Sequence, residues 1–344
     1  MPSSIFSSRK KRFWKTFWIA ALSSFLCLMA GSERLLRMTG HTAMVRNDWP
    51  LWSWWRDKGA QADGRTLMVL GSSRIEAGFV PEAWKEIFPA HRIIQLANTA
   101  SSSIPVLEDL AGDPGFHGLV LCEVSVFSMG SLALSTAEDM VRYYHEQFGF
   151  WDRWTVPINA FLQNHFVISS AAYVGESVLK ELLKGRYEAS TRYAIFPDRR
   201  VVFEFQKPLS KKQIKARVSI PEIQEMIPPK LRDEGLRRLN LAAQTIERHG
   251  GRVVFTEYVS TREKGLRSYF WEPLESQAKS PGIYFEDDPF LSTFRTPDGS
   301  HLDGRDAGAY TRRLAEIIRE KGWFEDRPSS EAVSRLEGEH GTGF

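Results

Sequence analysis

Short apolar runs alternate with stretches of helical periodicity in two separate parts of the chain. Five of the runs have the length and composition of buried strands, and they lie at residues 66–70, 92–97, 118–127, 252–259 and 282–287. Apolar positions repeat with helical spacing at residues 81–88, 104–111, 230–251 and 304–321. Strands that alternate with helices predict a mainly parallel five-stranded sheet with helices on both faces, a three-layer α/β/α fold.

The α/β pattern is interrupted once and is flanked by segments of different character. We therefore predict an α/β domain made of residues 65–127 and 231–324, with residues 128–230 inserted into it as an aromatic-rich cap. A Trp-rich connector occupies residues 32–64, where four tryptophans fall within seven positions. Residues 325–344 lack periodicity, and we expect them to form a disordered tail.

Residues 1–31 predict a cytoplasmic basic tail and a membrane anchor. The run from Phe13 to Ala30 carries a single charge, at Lys15, and its eighteen residues are enough for a helix to cross a bilayer. Four further cations at residues 9–12 predict a cytoplasmic amino terminus. The prediction is a single-pass protein of the inner (cytoplasmic) membrane with its large domain in the periplasm. A cleaved signal peptide shares this charge pattern and stays an alternative, whereas the flanking cations argue against a buried core helix.

The charge and the cysteines narrow the possible partners. The first fifteen residues contain five cations and no acidic residue, whereas the whole chain has a formal net charge of +3. The rest of the chain therefore carries a small net negative charge. Such a balance provides no electrostatic footprint for nucleic acid, and none is expected as a partner. Cys27 and Cys122 lack metal-ligand spacing, and the sequence predicts neither a metal nor a cofactor.

Candidate chemistry lies at two strand ends. Ser73 follows the first strand in the sequence VLGSSR, where a hydroxyl can project into the crevice at the carboxyl edge of a parallel sheet. Asp298 and His301 lie three residues apart in DGSHL, just before the last helix. That spacing lets the carboxylate orient the imidazole, which can then accept the proton of a serine. Ser73, His301 and Asp298 are therefore the predicted catalytic residues, although a Gly-Ser turn or a capping aspartate explains either motif taken alone.

These motifs resemble those of the SGNH-hydrolase superfamily. The sequence GSS at 71–73 is similar to its first block, Gly-Asp-Ser, and DGSH is similar to its final Asp-x-x-His block. QLANTA at 95–100 resembles the second block, with alanines in place of glycines. The segment at the place of the third block, LCEVS at 121–125, differs from the family's Gly-x-Asn-Asp because it has no asparagine. The chain looks like the membrane-associated branch seen in alginate O-acetylation and teichoic-acid D-alanylation proteins, which implies a flavodoxin-like sheet.

The resemblance also implies further site residues. The oxyanion hole would consist of the Ser73 and Ala97 amides, with Asn98 or Ser125 as a substitute for the missing asparagine. Four side chains are candidates for substrate contact, with packing inside the cap as the alternative for the two tryptophans: Arg74, Ser125, Trp151 and Trp154.

The function implied by the resemblance is acyl-ester chemistry outside the cytoplasm. The expected protein is a membrane-anchored serine acyl-esterase or O-acyltransferase that acts on a cell-surface polysaccharide or another acylated acceptor. A membrane-bound O-acyltransferase often accompanies this branch and is a candidate partner. The alternatives are a non-catalytic binding or assembly subunit with the same fold, which the missing asparagine favours, and a lipid-directed esterase.

Overall fold

Two compact units make up the chain. One contains residues 1–46 and 157–189, and the other contains residues 47–156 and 190–344. The computed structural model describes residues 5–60, 62–170, 191–206 and 209–324. The second unit holds the sheet and all of the residues predicted to be catalytic.

The sheet has five parallel strands. They are β1 Thr66–Leu70, β2 Arg92–Gln95, β3 Leu119–Glu123, β6 Arg252–Glu257 and β7 Gly282–Tyr284. Their spatial order is β2-β1-β3-β6-β7, so β1 lies between β2 and β3, the next two strands along the chain. Every residue of β1 and β3 is buried, as expected for strands that are covered on both faces. The predicted five-stranded parallel sheet and α/β/α fold are thus confirmed, with a fifth strand three residues long.

Helices cover this sheet in two groups. Helix α5 Ser103–Ala111 packs against α6 Ser131–Glu146 and against α9 Pro229–Arg248. The last helix, α11 Gly304–Glu320, packs against α3 Ser73–Gly78 and α4 Pro81–Lys85. The remaining helices of this unit are α2 Trp49–Gly59, α8 Ile220–Met226 and α10 Trp271–Gln277. Side chains cap several of these helices, as when Asp303 accepts a hydrogen bond from the Arg305 amide at the start of α11.

An antiparallel hairpin lies outside the main sheet. Its strands are β4 Thr191–Ile195 and β5 Val201–Phe205, which pair in register from Thr191 with Phe205 to Ile195 with Val201. Strand β5 packs against both α3 and α11. The hairpin therefore contacts the two helices that begin at the predicted catalytic motifs.

The other unit contains the apolar amino-terminal segment. Helix α1 runs from Ile5 to Met38, and its portion Arg12–Met38 is long and apolar enough to cross a membrane. Helix α7, Asp152–His165, continues from the second unit into this one, and the short 3-10 helix Val167–Ser169 follows it.

The structure adds detail to two of the segments outside the α/β domain. The Trp-rich connector contains helix α2, and the Trp52 ring is buried and donates its Nε1–H to the Leu96 carbonyl at 2.9 Å. Residues 157–189, from the 128–230 insert, belong to the same unit as the amino-terminal helix. The apolar stretch near 166–184 is a further helix candidate of the sequence, and most of it lies outside the described residues, as does the tail 325–344.

Candidate active site

Ser73 is the first residue of α3, directly after the turn that ends β1. Gly71 in this turn has φ +148°, and a Cβ at this position would lie 2.5 Å from the Glu123 carboxylate, so the turn requires glycine. Ser72 caps the helix by accepting a hydrogen bond from the Arg74 amide. Because Ser73 occupies the first helical position, its own N–H has no acceptor within the helix and can serve an oxyanion.

The Ser73 hydroxyl reaches His301 directly. Its Oγ lies 2.8 Å from His301 Nε2, although 228 residues separate the two in sequence. On the other side of the ring, His301 Nδ1 lies 2.6 Å from Asp298 Oδ2. An acceptor at Nδ1 selects the tautomer that carries its proton there, which leaves Nε2 free to accept the proton of the serine. The three side chains thus form one continuous hydrogen-bonded chain.

The Asp298 carboxylate is held by its own loop. Its Oδ1 accepts hydrogen bonds from the amides of His301 at 2.7 Å and Ser300 at 2.9 Å. Burial raises the pKa of Asp298, but the hydrogen bonds and charge of His301 outweigh it and hold this pKa at about 2. The carboxylate is therefore ionised throughout the neutral range, as the orienting member of a triad must be.

The β4–β5 hairpin supports the imidazole from the side. The Phe203 ring stacks on the His301 ring, with centroids 4.8 Å apart and an interplanar angle of 29°. Two residues further along β5, the Phe205 amide donates to Asp303 Oδ2 at 3.2 Å, just after the loop of Asp298 and His301. The hairpin therefore restricts the orientation of His301, a role that the sequence did not reveal.

A residue in the turn of the same hairpin, Arg199, hydrogen-bonds the loop at residues 95–100, called here the second-block loop. Arg199 is completely buried at φ +64°, an uncommon conformation for a residue with a side chain. Its guanidinium donates to the carbonyls of Gln95 at 2.7 Å and Ala97 at 3.1 Å, and its Nε donates to Asn47 Oδ1 at 2.9 Å. The buried Glu76 carboxylate lies 3.9 Å from the same group. A single arginine thus anchors the loop in which the expected oxyanion residues lie.

The structure does not leave the Ala97 amide free for an oxyanion. This N–H donates to the Val69 carbonyl at 2.9 Å and to the Gln95 side chain at 3.1 Å. The Asn98 amide is likewise engaged by the Gly71 carbonyl at 3.0 Å. The Asn98 side chain remains a candidate donor, because its Nδ2 makes a long hydrogen bond of 3.3 Å, to the Thr99 carbonyl, and no other within the described part of the chain.

A buried charged cluster lies behind Ser73 at the position of the divergent third block. Arg74 is 4% exposed, and its guanidinium lies 2.8 Å from Glu263 and 3.4 Å from Glu123. Burial and the neighbouring Glu263 charge raise the pKa of Glu257 well above its usual range, which favours its protonated form. Glu123 Oε2 also accepts the Ser72 amide at 2.7 Å, so this carboxylate supports the serine turn. A carboxylate cannot donate a hydrogen bond to an oxyanion as an asparagine can.

Two expected substrate contacts are corrected by their burial. Arg74 belongs to the cluster just described, and Ser125 is buried as the cap of the short 3-10 helix Val126–Met129, where its side chain accepts from the Phe127 amide. Trp151 and Trp154 are both highly exposed, and no contact joins either of them to the triad among the described residues. Within those same residues, no group of three or more His, Cys, Asp or Glu could hold a metal ion.

Comparison with known proteins adds a distant structural likeness. No protein-family model matches the sequence, and no curated protein matches it either. Among solved structures, the chain is similar to a GDSL-like lipase from Bacteroides thetaiotaomicron, with 10% sequence identity and a TM-score of 0.33. The match covers 79% of this chain and 100% of the lipase chain. The candidate site therefore depends on the geometry of the chain's own residues.

Proposed function

We propose that this chain is a membrane-anchored serine acyl-esterase or O-acyltransferase of the SGNH type, with its α/β domain outside the cytoplasm. The observation that carries the proposal is the unbroken chain from Ser73 Oγ through His301 to the Asp298 carboxylate, with spacings of 2.8 Å and 2.6 Å. Short, aligned contacts of this kind in a crevice at the carboxyl edge of a parallel sheet are the arrangement that acyl transfer requires.

The proposed reaction has two halves. His301 Nε2 takes the Ser73 proton while Oγ forms a bond to the ester carbonyl carbon, and the Ser73 amide donates to the resulting oxyanion. The tetrahedral intermediate then collapses, the bond to the alcohol oxygen breaks, and His301 gives its proton to the departing alcohol. In the second half, water or an acceptor hydroxyl attacks the acyl-serine by the same route in reverse. Water gives hydrolysis, and a sugar hydroxyl gives transfer.

A groove with charged and apolar walls lies beside the loop of Asp298 and His301. Its volume is about 520 Å³, and the amide of Lys215 in its wall donates to the Asp298 carbonyl at 2.7 Å. Its charged lining residues are Lys215, Arg217, Arg262, Glu222 and Glu225, and its apolar ones are Ala216, Val218 and Met226. The charged side chains of both signs support a polar acceptor such as a cell-surface polysaccharide.

A second candidate function is a non-catalytic subunit that binds an acylated polymer. The oxyanion side favours it, because Glu123 occupies the third-block position and the Ala97 amide is engaged by Val69. The intact hydrogen-bonded triad favours the enzyme.

Covalent labelling separates the two functions. The full-length protein in membranes is treated with a fluorophosphonate, and the modified peptide is identified by mass spectrometry. We expect the label on Ser73 alone, since only an activated serine reacts with this reagent. Ser72→Ala is the matched control and should still be labelled, whereas Ser73→Ala should not. A folded protein that takes no label at Ser73 would support the non-catalytic subunit.

The substrate class needs a separate measurement. Release of acetate from an acetylated polysaccharide is compared with release of fatty acid from phospholipid vesicles, using the same enzyme preparation. Faster turnover of the polysaccharide is expected from the charged groove. Turnover of phospholipid alone would contradict the proposed acceptor while leaving the serine chemistry in place.

A further inference from the structure

Helix α7 exposes an apolar face. Between Trp154 and Asn164 the sequence WTVPINAFLQN contains no charged residue, although the helix is at the surface. Val156 and Ala160 form its buried side. Four large apolar side chains of the helix, and that of Phe166 directly after it, are exposed. Their exposed fractions are 61% for Trp154, 58% for Ile158, 56% for Phe161, 40% for Leu162 and 45% for Phe166. A continuous apolar surface of this kind normally marks a contact with another molecule or with a membrane.

The end of this helix is tied to the end of helix α1. The Glu33 carboxylate accepts hydrogen bonds from the amides of Val167 and Ile168, both at 3.0 Å. Arg37 Nη2 donates to the carbonyl of His165 at 2.8 Å. All of these residues lie within the amino-terminal unit. The carboxyl end of α7 is therefore held at the level of residues 33–37 of α1.

That level corresponds to the lipid headgroups if α1 crosses the bilayer. The apolar run of α1 ends at Ala30, and a helix rises about 1.5 Å per residue. Glu33 is then about 4.5 Å and Arg37 about 10 Å beyond the hydrocarbon boundary. The headgroup layer on each side is about 5 to 7 Å thick, so Glu33 lies within this layer and Arg37 lies just beyond its outer edge. The exposed Phe161 and Phe166 thus belong to a segment that the anchor itself holds at interfacial depth.

We infer that the carboxyl-terminal part of α7 lies in the membrane interface, with Ile158, Phe161, Leu162 and Phe166 inserted among the lipid headgroups and upper acyl chains. The inference rests on the membrane anchor of the proposed function. A bilayer fits this surface better than a protein partner does, because Glu33 and Arg37 tie its carboxyl end to α1 just beyond the apolar run, and because its exposed side has no charged group with which to select a partner. Trp154, on the same face of α7, fits the aromatic preference for such an interface.

Site-specific fluorescence in lipid vesicles tests the inference. The full-length chain is reconstituted into vesicles of phosphatidylcholine and phosphatidylglycerol, with Cys27→Ser as the background. Burial raises the pKa of Cys122 to about 12 and keeps this thiol unreactive. Phe161→Cys then carries a polarity-sensitive probe, and Asn159→Cys on the exposed polar side of the same helix is the matched control. The readouts are quenching by spin-labelled lipid and quenching by aqueous iodide.

We expect lipid quenching of the Phe161→Cys probe to exceed that of the Asn159→Cys probe by about twofold or more, with iodide showing the opposite order. Spin labels near the headgroup should quench Phe161→Cys better than labels deep in the acyl chain. Equal access of iodide to both positions would overturn the inference. So would a Phe161→Cys probe that neither quencher reaches, because this result indicates cover by protein.

A probe on the native Cys27 separates this inference from the anchor. Cys27 is exposed on α1 within the apolar run, about 4.5 Å inside the hydrocarbon boundary, so spin labels on the upper acyl chain should quench it. If they do, a failure at Phe161→Cys concerns α7 alone. If no lipid label reaches Cys27, the anchor and this inference both fail, while fluorophosphonate labelling of Ser73 still tests the proposed chemistry independently.

Discussion

The acid–base side of the site and its oxyanion side are assembled to different degrees. On the acid–base side, Ser73, His301 and Asp298 are joined by two short hydrogen bonds, and the aspartate is held by two amides of its own loop. On the oxyanion side, the Ala97 amide is engaged by other groups, and the segment at 121–125, which contains no asparagine, has a buried glutamate, Glu123. In this candidate site, the groups that could transfer a proton are therefore already joined, whereas few groups are free to stabilise an oxyanion.

The largest effect should come from removing the nucleophile. Ser73→Ala and His301→Ala should each reduce ester turnover to the background rate, and the double variant should lose no more, because residues of one relay are not additive. Circular dichroism should show unchanged folding. The contrast is Ser72→Ala, which loses only a helix cap and should cost about 1 kcal/mol of stability. Loss of turnover in Ser72→Ala equal to that in Ser73→Ala would remove Ser73 from its assigned role.

A smaller loss is expected from Asp298→Asn. The base remains present but its tautomer is no longer fixed, so turnover should fall by about 10⁴-fold. The same variant tests the pKa of Asp298, which is about 2 in the fold against an ordinary value of 3.8. A lowered pKa means that the ionised carboxylate stabilises the fold above pH 4, and that this contribution disappears as the pH falls toward 2. The difference in unfolding free energy between wild type and Asp298→Asn should therefore shrink over that range, as measured by denaturant titration.

The oxyanion side is tested by Asn98→Ala. If its Nδ2 stabilises the transition state, kcat should fall by about 10²-fold with little change in KM. Asn47→Ala is the matched control, because Asn47 binds the same Arg199 and Glu76 network without belonging to the second-block loop. An equal loss of kcat in both variants would assign Asn98 to loop positioning instead. If kcat is unchanged in Asn98→Ala, the Ser73 amide stays as the proposed oxyanion donor.

The smallest effect is expected at Ala100. This residue has φ +55°, a conformation that costs an L-residue more than it costs glycine, and it stands where the resembled second block has glycine. Ala100→Gly should therefore raise the unfolding free energy by about 0.5 to 1 kcal/mol, after the greater backbone entropy of glycine in the unfolded chain. Turnover should stay the same. Thermal unfolding measures whether the stability rises or falls, and a destabilised Ala100→Gly would show that the backbone at Ala100 is not strained.

Much of the fold and the triad could be predicted from local signals. The strands β1 and β3 are continuous apolar runs because both of their faces are buried, and such runs are readable without knowing their partners. Asp298 and His301 are three residues apart, so their contact follows from the spacing alone. Ser73 was expected next to them because parallel strands bring their carboxyl ends to the same edge, and its Oγ lies 2.8 Å from His301 Nε2.

The tertiary structure alone decided the surroundings of the triad. Ala97 and Asn98 lie on the expected loop, but whether an amide is free depends on carbonyls such as that of Val69, which the motif does not contain. Arg199 lies about a hundred residues from the loop that it holds, and nothing in its hairpin turn predicts those acceptors. The sequence by itself determined the sheet, the apolar amino-terminal segment and the three side chains of the candidate triad, because these follow from local periodicity and spacing. Burial, hydrogen-bond competition and the inward placement of Arg74 came only from the folded chain, because each depends on groups brought together from distant segments.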